Sequence, residues 1–171
     1  MTVGRGYVVR DARPADRDAI RELTLSAYSE YADVMEPDSW AGLSAAVQAA
    51  LASSDPMERI VADDDGTLIG SVLLYPASAR AYGDLASAAS APELRLLAVA
   101  PEARGRGVGR ALVDECVRRA RLAGAAALGL HTSKSMATAM QLYERMGFER
   151  APELDFQPPG AEVVWGYRLK L

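Results

Sequence analysis

The stretch at positions 104–110 constrains the fold of this chain more than any other. Its sequence is Arg-Gly-Arg-Gly-Val-Gly-Arg, and it lies between the apolar run 93–99 and the amphipathic run 108–123. Glycines let backbone N–H groups approach an anion closely. A helix N-terminus adds partial positive charge there, and the arginines add full charges. The pattern therefore predicts a strand, a phosphate-binding turn and a helix, with a pyrophosphate as the expected ligand.

Two other nucleotide-binding motifs do not match this turn. A P-loop requires Gly-Lys followed by Ser or Thr, which the sequence lacks. A dinucleotide-binding fingerprint requires a third glycine where Arg110 stands, and it belongs to a first strand–helix–strand unit rather than to the second half of a chain. On composition alone, an arginine-rich surface loop is the remaining alternative.

The composition is that of a soluble globular protein. The chain has 171 residues, 50% hydrophobic and 25% charged, which predicts a single domain spanning 1–171. Its net charge of −4 disfavours non-specific binding to nucleic acid, and it favours cationic or neutral substrates. No apolar run approaches the roughly 20 residues of a membrane helix, and the first residues lack a signal-peptide core. We therefore expect a cytoplasmic protein with no nucleic-acid or membrane partner.

Cys116 is the one cysteine of the chain, so no intrachain disulfide can form. It lies in the middle of a predicted helix, where inert core packing is expected rather than covalent chemistry. No metal site is predicted.

Strand and helix patterns alternate along the chain, which indicates α/β layering. The predicted strands are 7–10, 59–62, 68–75, 93–99, 126–132, 148–156 and 163–171. The predicted helices are 16–31, 37–51, 108–123 and 135–146. Asp65-Gly66 between apolar runs predicts a tight hairpin. The small, polar residues of 76–92 predict a loop, either a mobile lid or a plain surface connection.

The turn and a second motif resemble the GCN5-related N-acetyltransferase (GNAT) family. Residues 104–109 match the family signature Gln/Arg-x-x-Gly-x-Gly/Ala. Residues 94–101 resemble the central strand of the family, and Leu-Tyr-Glu-Arg-Met-Gly-Phe at 142–148 resembles its second signature. The match is close over 93–150, whereas the N-terminal part agrees only in the order of its elements.

The resemblance implies a mixed, mostly antiparallel sheet flanked by helices, with two central parallel strands that splay apart and hold acyl-CoA between them. The splayed strands would be 94–99 and 126–132, and pantetheine amides would satisfy their unpaired backbone groups. The family often has an asparagine early in the following helix. Met136 occupies that position by spacing, with Ser133 or Ser135 as substitutes.

The resemblance also implies the residues that bind the cofactor. These are Leu97, Ala98, Val99, Arg104, Gly105, Arg106, Gly107, Val108, Gly109, Arg110 and Thr132. The backbone N–H of Val99 or of Leu97 is the expected donor to the thioester carbonyl oxygen as negative charge develops on it.

Acyl transfer to an amine also requires an unprotonated amine and a proton for the departing thiolate. The resemblance implies that Tyr143 lies beside the cofactor sulfur, and it is the expected acid because a phenol is protonated at neutral pH; core packing is its alternative role. Glu93 is the expected base, by its position on the strand, although a glutamate that titrates near 4.3 needs burial or a water chain. Its alternative is an exposed acid at the strand end. His131, the one histidine, is the rival base.

These residues predict an acetyl-CoA-dependent N-acetyltransferase that transfers an acetyl group by direct attack of a primary amine. Acetyl-CoA is the co-substrate, and the acceptor is a small molecule or a peptide. Candidate acceptor contacts are Tyr28, Tyr31, Glu36 and Trp40, whose alternative role is ordinary packing. A CoA-binding sensor without turnover, and acetylation of a protein N-terminus or lysine, are the alternative functions. A homodimer is left open.

Overall fold

The computed structural model describes residues 6–77, 79 and 90–171. The strands are β1 (Val8–Asp11), β2 (Glu58–Asp64), β3 (Thr67–Tyr75), β4 (Glu93–Val99), β5 (Ala127–Thr132), β6 (Glu149–Arg150) and β7 (Trp165–Lys170). The helices are α1 (Arg17–Ser29), α2 (Pro37–Ala52), α3 (Val108–Leu122) and α4 (Ala137–Arg145). Most of the predicted loop 76–92, with its lid interpretation, lies outside the described residues.

The strands form one sheet in the order β1-β2-β3-β4-β5-β7-β6. Neighbouring strands are antiparallel except β4 and β5, which are parallel and pair only at Glu93 and Gly129 within the described chain. Beyond that level the two strands diverge. The predicted mixed sheet with splayed central strands is confirmed.

Turn chemistry sets the β2–β3 hairpin. Asp65 and Gly66 both have positive φ, 51° and 91°, as a two-residue type I′ turn requires. Such a turn matches the twist of the strands that it joins, so it fixes which residues of β2 and β3 pair with each other. The predicted hairpin is confirmed, and β2 begins one residue earlier and ends two residues later than predicted.

Alternate residues of β3 face two different layers. Val72 and Leu74 belong to the core beneath α3. Leu73 and Tyr75 pack with Val47 of α2 on the other face of the sheet. Cys116 is fully buried in the α3 layer, and burial raises the pKa of its thiol to about 12, as expected for an inert packing residue.

The predicted strand 148–156 is wrong. β6 has only two residues, a 3₁₀ turn follows at Pro152–Leu154, and Phe156 forms an isolated bridge to Val164. Proline has no N–H to donate to a strand ladder, so pairing stops at Pro152. The helix ends also differ, because 3₁₀ turns at Glu30–Asp33 and Lys134–Met136 take up residues that were predicted to be helical. No helix in the described part of the chain is long and apolar enough to cross a membrane.

We predict that Gly70→Ala destabilises the fold by roughly 1–3 kcal/mol, the usual range for overpacking a core. A Cβ at Gly70 would lie 2.7 Å from Val108 Cγ1 and 2.9 Å from Leu112 Cδ1, where α3 packs on β3. Urea unfolding measures the change. Gly42→Ala is the control, since a Cβ there has no neighbour within 4 Å in the described residues and α2 gains a better helix former. Equal effects of the two substitutions would contradict the proposed close contact.

Candidate active site

Two cavities adjoin each other where β4 and β5 diverge. The inner cavity, of about 190 Å³, lies among α1, α2, β4, the end of β5 and the segment 156–164. The turn cavity, of about 470 Å³, lies between the end of β4, the start of α3 and α4. The two walls share Tyr28, Tyr31, Leu97, Met136 and Ala139. An elongated ligand can therefore extend from one cavity into the other.

The glycine-rich turn forms the outer wall of the turn cavity. Gly105 and Gly107 have φ of 78° and 77°, a conformation that L side chains rarely adopt, and Gly107 is the N-cap of α3. At Gly109 a Cβ would lie 3.3 Å from Leu142 Cδ2, so a small residue lets α3 approach α4. The backbone of this turn thus faces a cavity at the positive end of a helix, as predicted.

Charged side chains make the turn cavity positive. Among the described residues its wall includes three arginines (Arg104, Arg110 and Arg145) and one carboxylate, Glu30. The Arg104 guanidinium donates to both oxygens of Glu30, at 2.9 and 2.7 Å, and each side chain is about half exposed. This excess of cations suits an anionic ligand. Glu30 and Arg145 were not predicted, because neither lies near the glycine motif in sequence.

Arg106 is placed differently from the other arginines of the motif. Its guanidinium donates to Asp64 at 2.8 Å and lies 5.8 Å from the Tyr7 ring centre. The residue is not part of either cavity wall in the described structure. Only its backbone is positioned with the turn.

β4 is distorted at the point where it borders the cavities. Leu96 has φ of 53°, and the pairing register with β3 shifts between Ser71 and Leu73. A bulge of this kind leaves an extra residue unpaired and re-aims the backbone next to it. The backbone of Leu97, Ala98 and Val99, which was predicted to bind the cofactor, follows this bulge and lines the turn cavity.

A buried pair joins the two strands at the level where they part. His131 Nδ1 lies 2.5 Å from Glu93 Oε1, and both side chains are 7% exposed. The other ring nitrogen, Nε2, lies 2.8 Å from the carbonyl oxygen of Leu154 and donates to it. Burial lowers the pKa of His131, but the hydrogen bond and charge of Glu93 outweigh this effect, so the pKa is raised above 6.5.

His131 lines the inner cavity, whereas Glu93 stands behind it and lines neither cavity. The geometry thus reverses the expected order, in which the Glu93 carboxylate meets the incoming amine. A strand-end glutamate was also expected to be exposed in its alternative role, and it is buried instead.

Tyr143 lies in α4 with its side chain on the wall of the inner cavity. It is buried, and burial raises the pKa of its hydroxyl well above the ordinary value of 10.0. The phenol is therefore protonated at neutral pH and able to donate. Its ring meets Phe148 edge-on at 5.8 Å, so one face packs in the core while the residue borders the cavity.

Thr132, predicted to contact the cofactor, ends β5 in the wall of the inner cavity. Its hydroxyl is buried and has no hydrogen-bond partner within the described residues. Buried polar groups in proteins are nearly always bonded. Tyr7 Oη is also without a partner among the described residues but lines neither cavity, so it is the place of Thr132 on the cavity wall that makes its hydroxyl a candidate ligand contact.

The remaining predictions for this region divide in two. Tyr28 and Tyr31 lie on both cavity walls, and their rings meet edge-on at 5.5 Å. Glu36 and Trp40 lie on neither wall. Met136, which spacing assigned to the family's asparagine position, lies on both walls.

The segment 156–164 was not predicted as part of the site. Ser133 Oγ and Ser135 Oγ donate to the two carboxylate oxygens of Glu162, at 2.9 and 3.1 Å. The backbone N–H of Glu162 donates to Ser39 Oγ at 2.9 Å. These contacts join positions far apart in sequence, and the pair Pro158-Pro159 indicated only a loop. No group of three or more metal-ligating side chains is found in the described part of the chain.

Splayed central strands and a glycine-rich turn at a helix start are the features expected of an acetyltransferase. The chain belongs to the acetyltransferase (GNAT) family, whose family model matches residues 17–148. Mycothiol acetyltransferase of Cellulomonas flavigena is 31% identical over 162 residues, which cover 91% of this chain and 44% of that protein. IAA acetyltransferase of Azospirillum brasilense is 34% identical over 106 residues, or 61% of each chain. The chain spans less than half of the mycothiol acetyltransferase.

Solved structures share the fold. PaiA N-acetyltransferase of Thermoplasma acidophilum, in complex with coenzyme A, superposes with a TM-score of 0.68 at 18% identity, covering 96% of this chain and 99% of that one. Ribosomal-protein-alanine N-acetyltransferase of Brucella melitensis gives 0.65 at 21% identity, with 96% and 99% covered. At these identities the likeness establishes the fold and leaves the substrate open.

We predict that Glu93→Gln reduces stability by roughly 1–3 kcal/mol below pH 6.5, the cost of depriving a buried group of its partner. The folded state raises the pKa of His131, so this contribution is full below the unfolded value of 6.5. It is lost as the pH rises through the folded value. The gap between wild type and variant should therefore narrow from pH 6 upward in urea unfolding.

Glu102→Gln is the control for this measurement, because Glu102 is an exposed carboxylate close to the end of β4. It should leave the pH dependence of stability unchanged. A gap between wild type and Glu93→Gln that widens with rising pH would contradict the assignment of the charged pair.

Proposed function

We propose that this protein is an acetyl-CoA-dependent N-acetyltransferase that acts on the primary amine of a small molecule or peptide by direct attack. The observation that carries the proposal is the pair of adjoining cavities in the gap between β4 and β5. One is bordered by a positive glycine turn, and the other is bordered by a buried phenol. A pyrophosphate and an acyl acceptor can thus be held at opposite ends of one passage.

The turn residues would hold the pyrophosphate of acetyl-CoA. Backbone N–H groups of 105–110 lie at the start of α3, where the helix dipole favours anions. Arg104 and Arg110 add charge on the same cavity wall. Thr132, whose hydroxyl lacks a partner in the described chain, would bond the part of the ligand that reaches into the inner cavity.

The bulge in β4 would supply the donor for the thioester oxygen. The N–H of Leu97 or of Val99 follows the left-handed residue Leu96, in the stretch that lines the turn cavity. A fixed backbone donor stabilises developing charge without reorganisation. Tyr143 would then protonate the departing thiolate from the inner cavity wall.

Proton removal from the amine would use water. His131 borders the inner cavity, but both of its ring nitrogens are engaged, with Glu93 and with Leu154. Glu93 reaches the cavity only through that ring. We therefore give the pair a positioning role at the point where β4 and β5 part, with a water chain carrying the proton away.

A CoA-binding sensor without turnover is the competing function. A hydroxyl donor on the cavity wall at Tyr143 is what an acyl transfer requires and a sensor does not, which favours the enzyme. Thiol release from acetyl-CoA in the presence of a panel of primary amines separates the two. Release that depends on the amine supports the enzyme, and binding of CoA without release supports the sensor.

We predict that Gly107→Ala weakens CoA binding by roughly tenfold, or about 1.4 kcal/mol. Its φ of 77° is unfavourable for a residue with a Cβ, so the turn must shift its amides. Isothermal titration calorimetry measures the affinity. Gly124→Ala is the matched control, because Gly124 has φ of 75° at the opposite end of the same helix. It should cost similar stability and leave the affinity unchanged; unaltered affinity in Gly107→Ala would refute the placement.

We predict that Tyr143→Phe lowers kcat by roughly 100-fold, the low end for a lost general acid. CoA affinity should be kept, because the change removes one hydroxyl and little volume. Single-turnover kinetics test whether chemistry is the step affected. Tyr75→Phe is the control, since Tyr75 is equally buried but lines neither cavity. A kcat equal to wild type would return Tyr143 to a packing role.

A further inference from the structure

Glu162 brings the only carboxylate to the wall of the inner cavity among the described residues. It belongs to the segment 156–164, which forms part of the wall of this cavity. The same segment contributes apolar wall residues, Phe156 and Val164, and α2 contributes Leu43 and Ala46. The same wall carries Arg95 and His131, so Glu162 is its one negative charge among the described residues.

Neutral groups hold this carboxylate in place. Each of its oxygens accepts one hydroxyl, from Ser133 and from Ser135, and the backbone N–H of Glu162 donates to Ser39. The hydrogen-bond partners found for its carboxylate among the described residues are these two serines. A carboxylate offers about four acceptor positions, of which the serines use two. The charge is oriented but not neutralised.

The position of Glu162 is the junction of the two cavities. Ser133 lines the inner cavity, and Ser135 lines the turn cavity. The carboxylate that accepts from both hydroxyls therefore lies where an acceptor in the inner cavity meets a ligand that enters from the glycine turn.

We propose that Glu162 binds the ammonium group of the acceptor, and that the acceptor class is a primary amine with an apolar body. This proposal rests on the proposed function and names its substrate. The ammonium would bond the unused carboxylate positions, and the apolar body would pack against Leu43, Ala46 and Phe156.

A structural latch is the role from which this must be distinguished. The three serine contacts would by themselves tie the segment 156–164 to β5 and α2. Glu162→Gln keeps the shape and one acceptor oxygen but removes the charge. Ser135→Ala keeps the charge and removes one latch contact. Loss of the charge is therefore tested by Glu162→Gln, and loss of a contact that holds the segment is tested by Ser135→Ala.

The test is calorimetric titration of the CoA-saturated protein at pH 7 with two probes, 2-phenylethylamine and its neutral analogue 2-phenylethanol. A hydrogen bond between two charged groups is stronger than one to a neutral hydroxyl, so the wild type should bind the amine at least about tenfold more tightly than the alcohol. In Glu162→Gln this ratio should fall to about one with the alcohol affinity unchanged. In Ser135→Ala the ratio should persist.

The other outcomes overturn the proposal. A ratio kept in Glu162→Gln excludes recognition of charge, and equal weakening of both probes shows a latch only. Wild type that binds CoA but neither probe refutes the acceptor class. Failure of CoA itself to bind, measured first in the same instrument, refutes the proposed function instead, so the two failures are distinguishable.

Discussion

The separation of β4 from β5 is the constraint on which the rest of the structure depends. The strands meet at Glu93 and Gly129, where the Gly129 amide donates to the Pro92 carbonyl at 2.9 Å, and they diverge beyond it. On its outer side β4 pairs with β3, and β5 pairs with β7 along its full length. Because each strand is held from outside, the gap stays open, and both cavities lie in it. The Glu93–His131 hydrogen bond fixes the level at which the gap begins.

Keeping this gap open has an energetic cost at identifiable residues. Leu96 adopts a left-handed φ, which costs of order 1–3 kcal/mol at a non-glycine residue. Thr132 buries a hydroxyl that has no partner in the described chain. The close packing of α3 on β3 at Gly70 shows that the sheet is tightly packed elsewhere. Leu96 and Thr132 both line the inner cavity, where a ligand would supply the missing partner of the threonine hydroxyl.

Local chemistry made much of the fold predictable. Asp65-Gly66 determines its hairpin through positive φ at two successive residues, and the glycines before α3 determine the turn in the same way. The site was predictable only as far as motifs reach. Glu162 contacts Ser133 and Ser39, 29 and 123 residues away, and no periodicity encodes such pairs. The strand predicted at 148–156 is wrong for the same reason, namely that local patterns do not encode long-range contacts. Pro152 ends the pairing, and the segment that follows lies on the cavity wall.

The two cavities differ in the charge of their walls, and the present partners of each charged side chain determine how easily a ligand can replace them. Arg104 and Glu30 are about half exposed, and a surface pair of this kind contributes only about 0–1 kcal/mol. The Arg104 guanidinium can therefore turn to a pyrophosphate at little cost. Glu162 is bonded to neutral hydroxyls, so a cation that reaches it displaces no competing ion. The proposed sites thus have opposite charge requirements, an anion at the glycine turn and a cation at the junction, and on our proposal the two substrates would lie head to tail along one passage.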